Sequence, residues 1–461
     1  MTGDRTFSVR GKRVTVMGAA RSGLAAAELL VRRGARVTLS DARETIDGED
    51  RLRSAGVELE LGGHREGTFT GADLIVTSPG VPFRQRVLDA ARAAGVPVIG
   101  ELELASRWLR GRVVAITGTK GKSTTTTLTG RMLEAGGHRV LVGGNIGNAL
   151  SAQVDDSTED TIHVVEASSF QLEAIVTFKP WIAVLLNFSP DHLDRHADVE
   201  AYAAAKQRIF ENQSEEDWAV VNAEDPSATV MSQGLRARML PFSMRGDLGD
   251  GVVVQGDQIV RRQHGADEPL VPVSSIRLLG AHLVADVLAA TAVASLVGVD
   301  RAAMTRAVES FSGLEHALEP VGEIGGVRFV NDSKATNIEA ARRAIESFGD
   351  GLVVILGGRY KGGRFEDLRE PLAGRHASVV AIGESATMIR AALAGAVPVH
   401  EADSMSSAVR TAFASAAPGS IVVLAPACSS FDMFQDYAER GRVFKQEVSR
   451  LQEAWIVTRE M

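Results

Sequence analysis

Cysteine is nearly missing from this chain of 461 residues: Cys428 stands alone. One thiol closes no internal disulfide, which predicts a reducing compartment. Basic residues are outnumbered, 50 Lys and Arg against 58 Asp and Glu, for a net charge of −8. No basic run offsets that balance, and a nucleic-acid partner is therefore not expected. A long hydrophobic run is also wanting. The longest, Leu288 to Val299, lies between Asp286 and Asp300 and falls short of the roughly 20 residues of a membrane span. It predicts a core helix. Met1 to Arg13 is charged and has no apolar stretch of the signal-peptide kind. These absences together predict a cytoplasmic protein. There is no repeat of solenoid period and no low-complexity tract.

What is present is a globular composition, 45% hydrophobic and 23% charged with 46 glycines, and a length suited to roughly two to four domains. The most informative stretch runs from Ala115 to Thr124, Ala-Ile-Thr-Gly-Thr-Lys-Gly-Lys-Ser-Thr. Val113 to Ile116 reads as a buried strand. Gly118 and Gly121 permit a tight turn, and Leu128, Met132 and Leu133 are spaced for a helix. A strand, a glycine loop ending in Gly-Lys-Ser and a helix form a cradle for phosphate. The backbone N–H groups of Gly118, Thr119, Lys120 and Gly121 and the helix start offer partial positive charge to an anion. Lys122 would reach the outer phosphates, and the Ser123 or Thr124 hydroxyl would hold Mg²⁺. The loop is one residue shorter than the usual G-x-x-x-x-G-K-[ST] spacing. A nucleoside triphosphate is the ligand this stretch predicts.

Strand and helix signals alternate along the whole chain, which predicts α/β architecture in three domains: residues 1–100, 101–313 and 314–461. In the first, Val14 to Met17, Val37 to Asp41, Leu74 to Thr77 and Val96 to Ile99 read as parallel strands of a Rossmann-like sheet. Gly18 and Gly23, with Asp41 downstream, resemble a dinucleotide fingerprint, but Ala20 stands where its middle glycine belongs. Three readings stay open for that turn: a dinucleotide, the diphosphate of another nucleotide, or a structural bend. The second domain is P-loop ATPase-like, and beyond Arg238 it changes to short strands with turns. The third is again a wound α/β unit.

Polar clusters fall where strands end, as ligand sites do in open α/β sheets. Glu166, after the strand at 163–165, could serve the Mg²⁺ of the phosphate loop or cap the helix that follows. Asn187 to Asp194 is a loop rich in acceptors, and His192 in it is either a ligand contact or a solvated residue. Lys206, in an Ala-rich helix from 201 to 210, reads by spacing as a solvated lysine. Asn331 to Asn337 supplies helix caps, or a lysine, Lys334, placed to meet phosphate. Gly357 to Gly363 is a second glycine loop with basic residues, and Pro426 to Asp432 is a further polar strand end. Cys428 in it has no evident base and reads as packed.

Five of these motifs, Gly118–Thr124, Glu166–Glu173, Asp191–Asp194, Asn331–Asn337 and Pro426–Asp432, resemble in order those of the Mur ligases of peptidoglycan synthesis. The likeness runs from about residue 12 to 445 and is greatest to the branch that adds D-glutamate to UDP-N-acetylmuramoyl-L-alanine. It implies ATP and Mg²⁺ (two ions) as cofactors, these two small molecules as substrates, an acyl-phosphate intermediate, a monomer, and a part in cell-wall biogenesis, cell shape and cell division. Carried over by position, it implies that Lys122, Glu166, His192, Lys206 and Lys334 are catalytic. ATP would meet residues 118–124, Asp286 and Asp332. Arg21, Ser22, Asp41, Arg43 and Ser78 would hold the UDP substrate, with Asn145 and His192 near its muramoyl-alanine end. Lys334, Thr336, Lys361, Ser430, Phe431 and Tyr437 would receive glutamate. Ser123, Glu166 and His192 would bind metal, joined by Lys206 if carbamylated.

This chain departs from the family pattern in the nucleotide pocket. Leu283 and Asp286 stand where Gly-x-His-Asn-x-x-Asn would place asparagines, and Ala317 follows His316 in place of arginine. Weaker ATP affinity or relaxed base choice is the expectation. A nicotinamide-dependent oxidoreductase would explain Gly18 to Asp41 but leaves Lys122 idle. A non-catalytic nucleotide-binding protein would explain the departures alone.

Overall fold

The computed structural model describes residues 7–192, 195–277 and 281–460. Runs of Val, Ile and Leu between glycine turns give three sheets. The first is wholly parallel and contains β1 (Arg13–Met17), β2 (Arg36–Asp41), β3 (Glu58–Leu61), β4 (Leu74–Thr77) and β5 (Val98–Gly100) in the order β3-β2-β1-β4-β5. Chain order reverses between β1 and β4, so a crevice opens there at the carboxyl ends of the strands.

The central sheet has nine strands: β6 (Arg112–Thr117), β7 (Arg139–Gly144), β8 (Thr161–Glu166), β9 (Ile182–Leu185), β10 (Trp218–Asn222), β11 (Arg238–Ser243), β12 (Gly251–Gln255), β13 (Gln258–Gln263) and β14 (Ala266–Pro272). Their order is β14-β13-β12-β11-β10-β9-β6-β8-β7. The last three strands form an antiparallel meander on an otherwise parallel sheet. The run around Leu288 lies in the helix Ala281–Val297, whose Val287 to Ala290 are fully buried, as a helix apolar on all sides should be. Among the described residues no helix is long and apolar enough to cross a membrane.

The third sheet contains β15 (Glu319–Ile324), β16 (Val327–Asn331), β17 (Leu352–Gly357), β18 (Ser378–Ile382), β19 (Val399–Ala402) and β20 (Ile421–Leu424), ordered β15-β16-β20-β17-β18-β19. Only β15 runs antiparallel to its neighbour.

By contact the chain forms two compact units, Met1–Ile276 with His282–Ser310, and Arg277–Ala281 with Phe311–Met461. The first unit contains two sheets because the helix Glu101–Ser106, buried at every residue, joins them. Glu103 there accepts backbone N–H bonds from Val176, Thr177 and Phe178 at 2.8–2.9 Å, with Thr177 Oγ1 at 2.7 Å and Arg107 Nε at 2.9 Å. Burial opposes its charge, but these donors outweigh it and hold the carboxyl below its usual range. Glu101 accepts from the Ser151 N–H at 2.6 Å.

Candidate active site

β6 lies between β8 and β9, so the loop leaving it emerges in the middle of the central sheet. Gly118 and Gly121 have φ of +156° and +80°, and the helix Lys122–Ala135 starts directly after the second. The turn is clamped by Asn187 at the end of β9. Its Oδ1 accepts the N–H groups of Thr119 at 3.1 Å and Lys120 at 2.9 Å, and its Nδ2 donates to the Lys120 carbonyl at 3.1 Å. Lys122 Nζ donates to the Gly118 and Thr119 carbonyls, both at 3.0 Å, which holds the ammonium over the loop. Ser123 and Thr124 occupy the first turn of the helix.

Three further groups converge on this loop. Glu166 ends β8, in register with Ile116 of β6. It is 2% exposed; Oε1 accepts from Asn145 Nδ2 at 2.7 Å, while Oε2 is buried without a hydrogen bond. The helix after it is capped by Ser168 with Gln171, so the capping alternative for Glu166 is wrong. Lys206 corrects the reading from spacing more sharply. It is 1% exposed, and Nζ donates to the Gly118 carbonyl at 2.7 Å over the Tyr202 ring. The Ala-rich face that read as solvated packs inward. Burial and the nearby charge of Lys122 push this amine's pKa well down. Asp286, on the helix Ala281–Val297, lies against Gly121, and burial pushes its carboxyl well up against the Thr125 hydroxyl and the Lys122 charge.

His192 stands at φ +55°, exposed, its ring 5.0 Å from Phe170 and 6.0 Å from Tyr202 between centroids. Lys120 and Asp191 pair at 3.6 Å. Asp194, Gly280 and the His282 side chain lie outside the described residues. Of these neighbours, Asn187 and Tyr202 carry no role in the sequence reading. Asn187 was legible as a polar strand end, whereas Tyr202 is placed only by the fold.

Arg21, Ser22, Asp41, Arg43 and Ser78 all lie at the carboxyl ends of β1, β2 and β4. Gly23 brings the helix onto the turn: a Cβ there would stand 1.8 Å from the Gly18 carbonyl oxygen. Asp41 accepts from Ala19 N–H at 2.6 Å and is forked by Arg43 at 2.9 and 3.0 Å. The Arg43 guanidinium foremost, then the two N–H groups, hold its carboxyl well below the usual range. Both oxygens are therefore engaged where a dinucleotide site would offer them to ribose. Arg21 Nη2 donates to the Asn145 carbonyl at 3.3 Å, which ties this sheet to the Glu166 region. The Ser78 hydroxyl is buried without a partner.

In the second unit, loops from the neighbouring strands β16, β20 and β17 meet. Ser429 and Arg359 exchange backbone hydrogen bonds at 3.0 and 3.1 Å, and Ala427 N–H donates to the Ala335 carbonyl at 2.9 Å. Arg440, 1% exposed on the helix Tyr437–Glu460, reaches two of these loops: Nε to Ser333 Oγ at 2.9 Å, Nη2 to the Ser333 carbonyl at 2.9 Å and Nη1 to the Cys428 carbonyl at 3.1 Å. Nothing in its charged helix sequence marked it. Burial lowers its pKa to about 10. Lys334 and Lys361 are exposed on this rim, as are Phe431 at 63% and Tyr437 at 41%; Thr336 is half-buried and Ser430 is buried. Asn337 realises the cap reading by accepting from Ala340 N–H at 2.8 Å. Cys428 is packed. Burial of the Asp332 carboxyl raises it to about 7 against the Leu318 N–H and Lys334.

No group of three or more His, Cys, Asp or Glu side chains is gathered for a metal among the described residues. The unpaired Glu166 Oε2 and the Ser123 hydroxyl still fit Mg²⁺, which keeps few protein ligands when phosphate and water supply the rest.

Three family models match in series: "Mur ligase MurD-like, N-terminal domain" at residues 12–100, "Mur ligase middle domain" at 116–294, and "Mur ligase, glutamate ligase domain" at 318–428. The chain is 48% identical over 447 residues to a UDP-N-acetylmuramoylalanine--D-glutamate ligase of Acidobacterium capsulatum, covering 96% of this chain and 97% of that one. It is 45% identical over 450 residues to the ligase of the same name from Koribacter versatilis, covering 97% and 99%. Its fold is similar to the crystal structure of MurF ligase from Thermotoga maritima in complex with ADP, at TM-score 0.59 and 17% identity, over 96% of each chain.

Proposed function

Because the chain belongs to the Mur ligase family, we propose that it joins D-glutamate to UDP-N-acetylmuramoyl-L-alanine with ATP, in peptidoglycan precursor synthesis. The observation that carries this reading is the glycine loop with Lys122 beside Glu166, one strand away, whose buried Oε2 has no hydrogen bond. A carboxylate accepts an amine poorly. Phosphorylation solves this: a carboxylate oxygen of the substrate bonds the γ-phosphorus, the bond to ADP breaks, and an acyl phosphate results. The glutamate amine then attacks the acyl carbon, loses a proton, and inorganic phosphate leaves.

Lys122 and the loop N–H groups would hold the phosphates and stabilise charge on the transferring group. Ser123, Glu166 and His192 would hold Mg²⁺, with Lys206 if carbamylated; the ion would neutralise phosphate charge. Arg21, Ser22, Asp41, Arg43 and Ser78 would seat the UDP end, and Asn145 its muramoyl-alanine end. In the second unit Lys334, Thr336, Lys361, Ser430, Phe431 and Tyr437 would receive glutamate. The test is phosphate release from ATP with Mg²⁺ and UDP-N-acetylmuramoyl-L-alanine, run in parallel with D- and L-glutamate. The reading expects release coupled to amide with the D-isomer. Absence of release with either isomer would overturn it.

A further inference from the structure

Arg195 has no role in the chemistry above, yet it bridges two parts of the first unit. Its backbone N–H donates to the His192 carbonyl at 3.0 Å, so it belongs to the turn that carries His192. Its guanidinium leaves the central sheet and meets the loop after β4. Nη1 donates to the Gly80 carbonyl at 3.0 Å; Nη2 donates to the Pro79 carbonyl at 3.4 Å and also to that of Val81. Its Cζ lies 4.7 Å above the centre of the Phe170 ring. Phe170 belongs to the short helix just after Glu166 and also contacts His192.

The same loop packs on the glycine turn of the first sheet. A Cβ on Gly18 would come within 2.6 Å of Val81 Cγ2 and 3.1 Å of Ser78 Cβ, and Ser78 N–H donates to the Met17 carbonyl at 2.9 Å. A continuous chain of contacts therefore runs from the Gly18 turn through residues 78–81 and Arg195 to His192 and Phe170. Arginine suits this place. Three successive carbonyls need donors spread in a plane, which a guanidinium offers and an ammonium does not.

We propose that Arg195 is a positioning residue, a strut that fixes the UDP-substrate loop at residues 78–81 against the His192 turn and so sets where the substrate's carboxylate meets the transferred phosphoryl group. The ligase reading above supplies the two ends of the strut. Reacting atoms must approach to about 3 Å, and a misplacement of about 1 Å costs about 100-fold in rate.

The test compares the full-length chain with Arg195→Lys and Arg195→Met by hydrogen exchange and steady-state kinetics. Arg195→Lys keeps the charge and much of the stem over Phe170, so a folded comparison is available even if Arg195→Met melts. Both variants should speed amide exchange across residues 78–83 by about tenfold or more, with the phosphate-loop helix unchanged. Both should lower kcat, about 100-fold for Arg195→Met, while KM for ATP stays within about twofold of the parent. Unchanged exchange at 78–83 overturns the strut. So does a fall in kcat matched by an equal rise in KM for ATP and a general loss of exchange protection, which marks a merely structural residue. If the parent chain makes no amide, the ligase reading fails by itself, and the exchange measurement still decides whether Arg195 holds the loop.

Discussion

Alanine at Gly121 perturbs the phosphate loop in a way the geometry makes quantitative. Gly121 has φ +80°, and a Cβ there would stand 2.1 Å from Asp286 Oδ1 and 2.8 Å from its Cγ. The left-handed backbone alone costs an L-residue about 1–2 kcal/mol. The collision has no easy release, because Asp286 is buried on a helix packed on all sides. The loop must rise instead, and a shift of about 1 Å at a reacting group costs about 100-fold, about 2.7 kcal/mol. Gly121→Ala is therefore expected to lower kcat/KM for ATP about 100-fold and to lower Tm by several degrees. Asp286→Ala in the same chain removes the collision but leaves the backbone strain. The double variant should then recover about 2.7 kcal/mol, the cost of the loop shift, relative to the sum of the two single losses. The assay is phosphate release across the four-member cycle, with melting curves beside it. Additivity within about 0.3 kcal/mol would refute the contact as the cause.

Other predictions follow from buried groups. Glu103→Gln should cost about 3–5 kcal/mol in denaturant unfolding, because a buried anion facing five donors is lost. Its folded pKa lies below the unfolded 4.5, so its contribution is complete above that value and fades as pH falls through the folded one. Acid unfolding curves should accordingly be shallower in the variant below about pH 4.5. If the proposed glutamate residues act as stated, Arg440→Met should raise KM for glutamate about tenfold or more, since the carbonyls of Ser333 and Cys428 lose their donor; an unchanged KM would count against that assignment. Lys206, its ammonium disfavoured by burial and Lys122, should bind ¹³C-labelled bicarbonate as a carbamate seen by NMR. Lys206→Arg should abolish that resonance and cut kcat about 100-fold or more, whereas a parent chain without the resonance refutes carbamylation.

The legible parts of this chain were those fixed by local chemistry. Val113–Ile116 followed by Gly118, Gly121 and Lys122 is strand, loop and helix at once, and the other interior strands announce themselves as Val/Ile runs. The unread strands are mostly edges. β3, β14, β15 and β19 each border one of the sheets, and Glu58-Leu-Glu-Leu61 or Val399-His-Glu-Ala402 carries charge because one side meets water. β11 is interior but interrupted by Pro241. The Asn187 clamp could have been read from its strand end. Arg440 could not, and Lys206 could not from its spacing, although the family resemblance pointed to it: each sits in a helix whose sequence suits solvent, and only tertiary packing buries it. The union of two sheets in one unit was equally hidden, since it depends on Glu103 meeting Val176 to Phe178 across a long stretch of chain.

The most direct test is Lys122→Ala in an assay that follows ADP and amide together. Loss of both by about 1000-fold or more with the fold retained is the expected result. Amide formation at the parent rate would contradict the claim that phosphoryl transfer at this loop activates the acid.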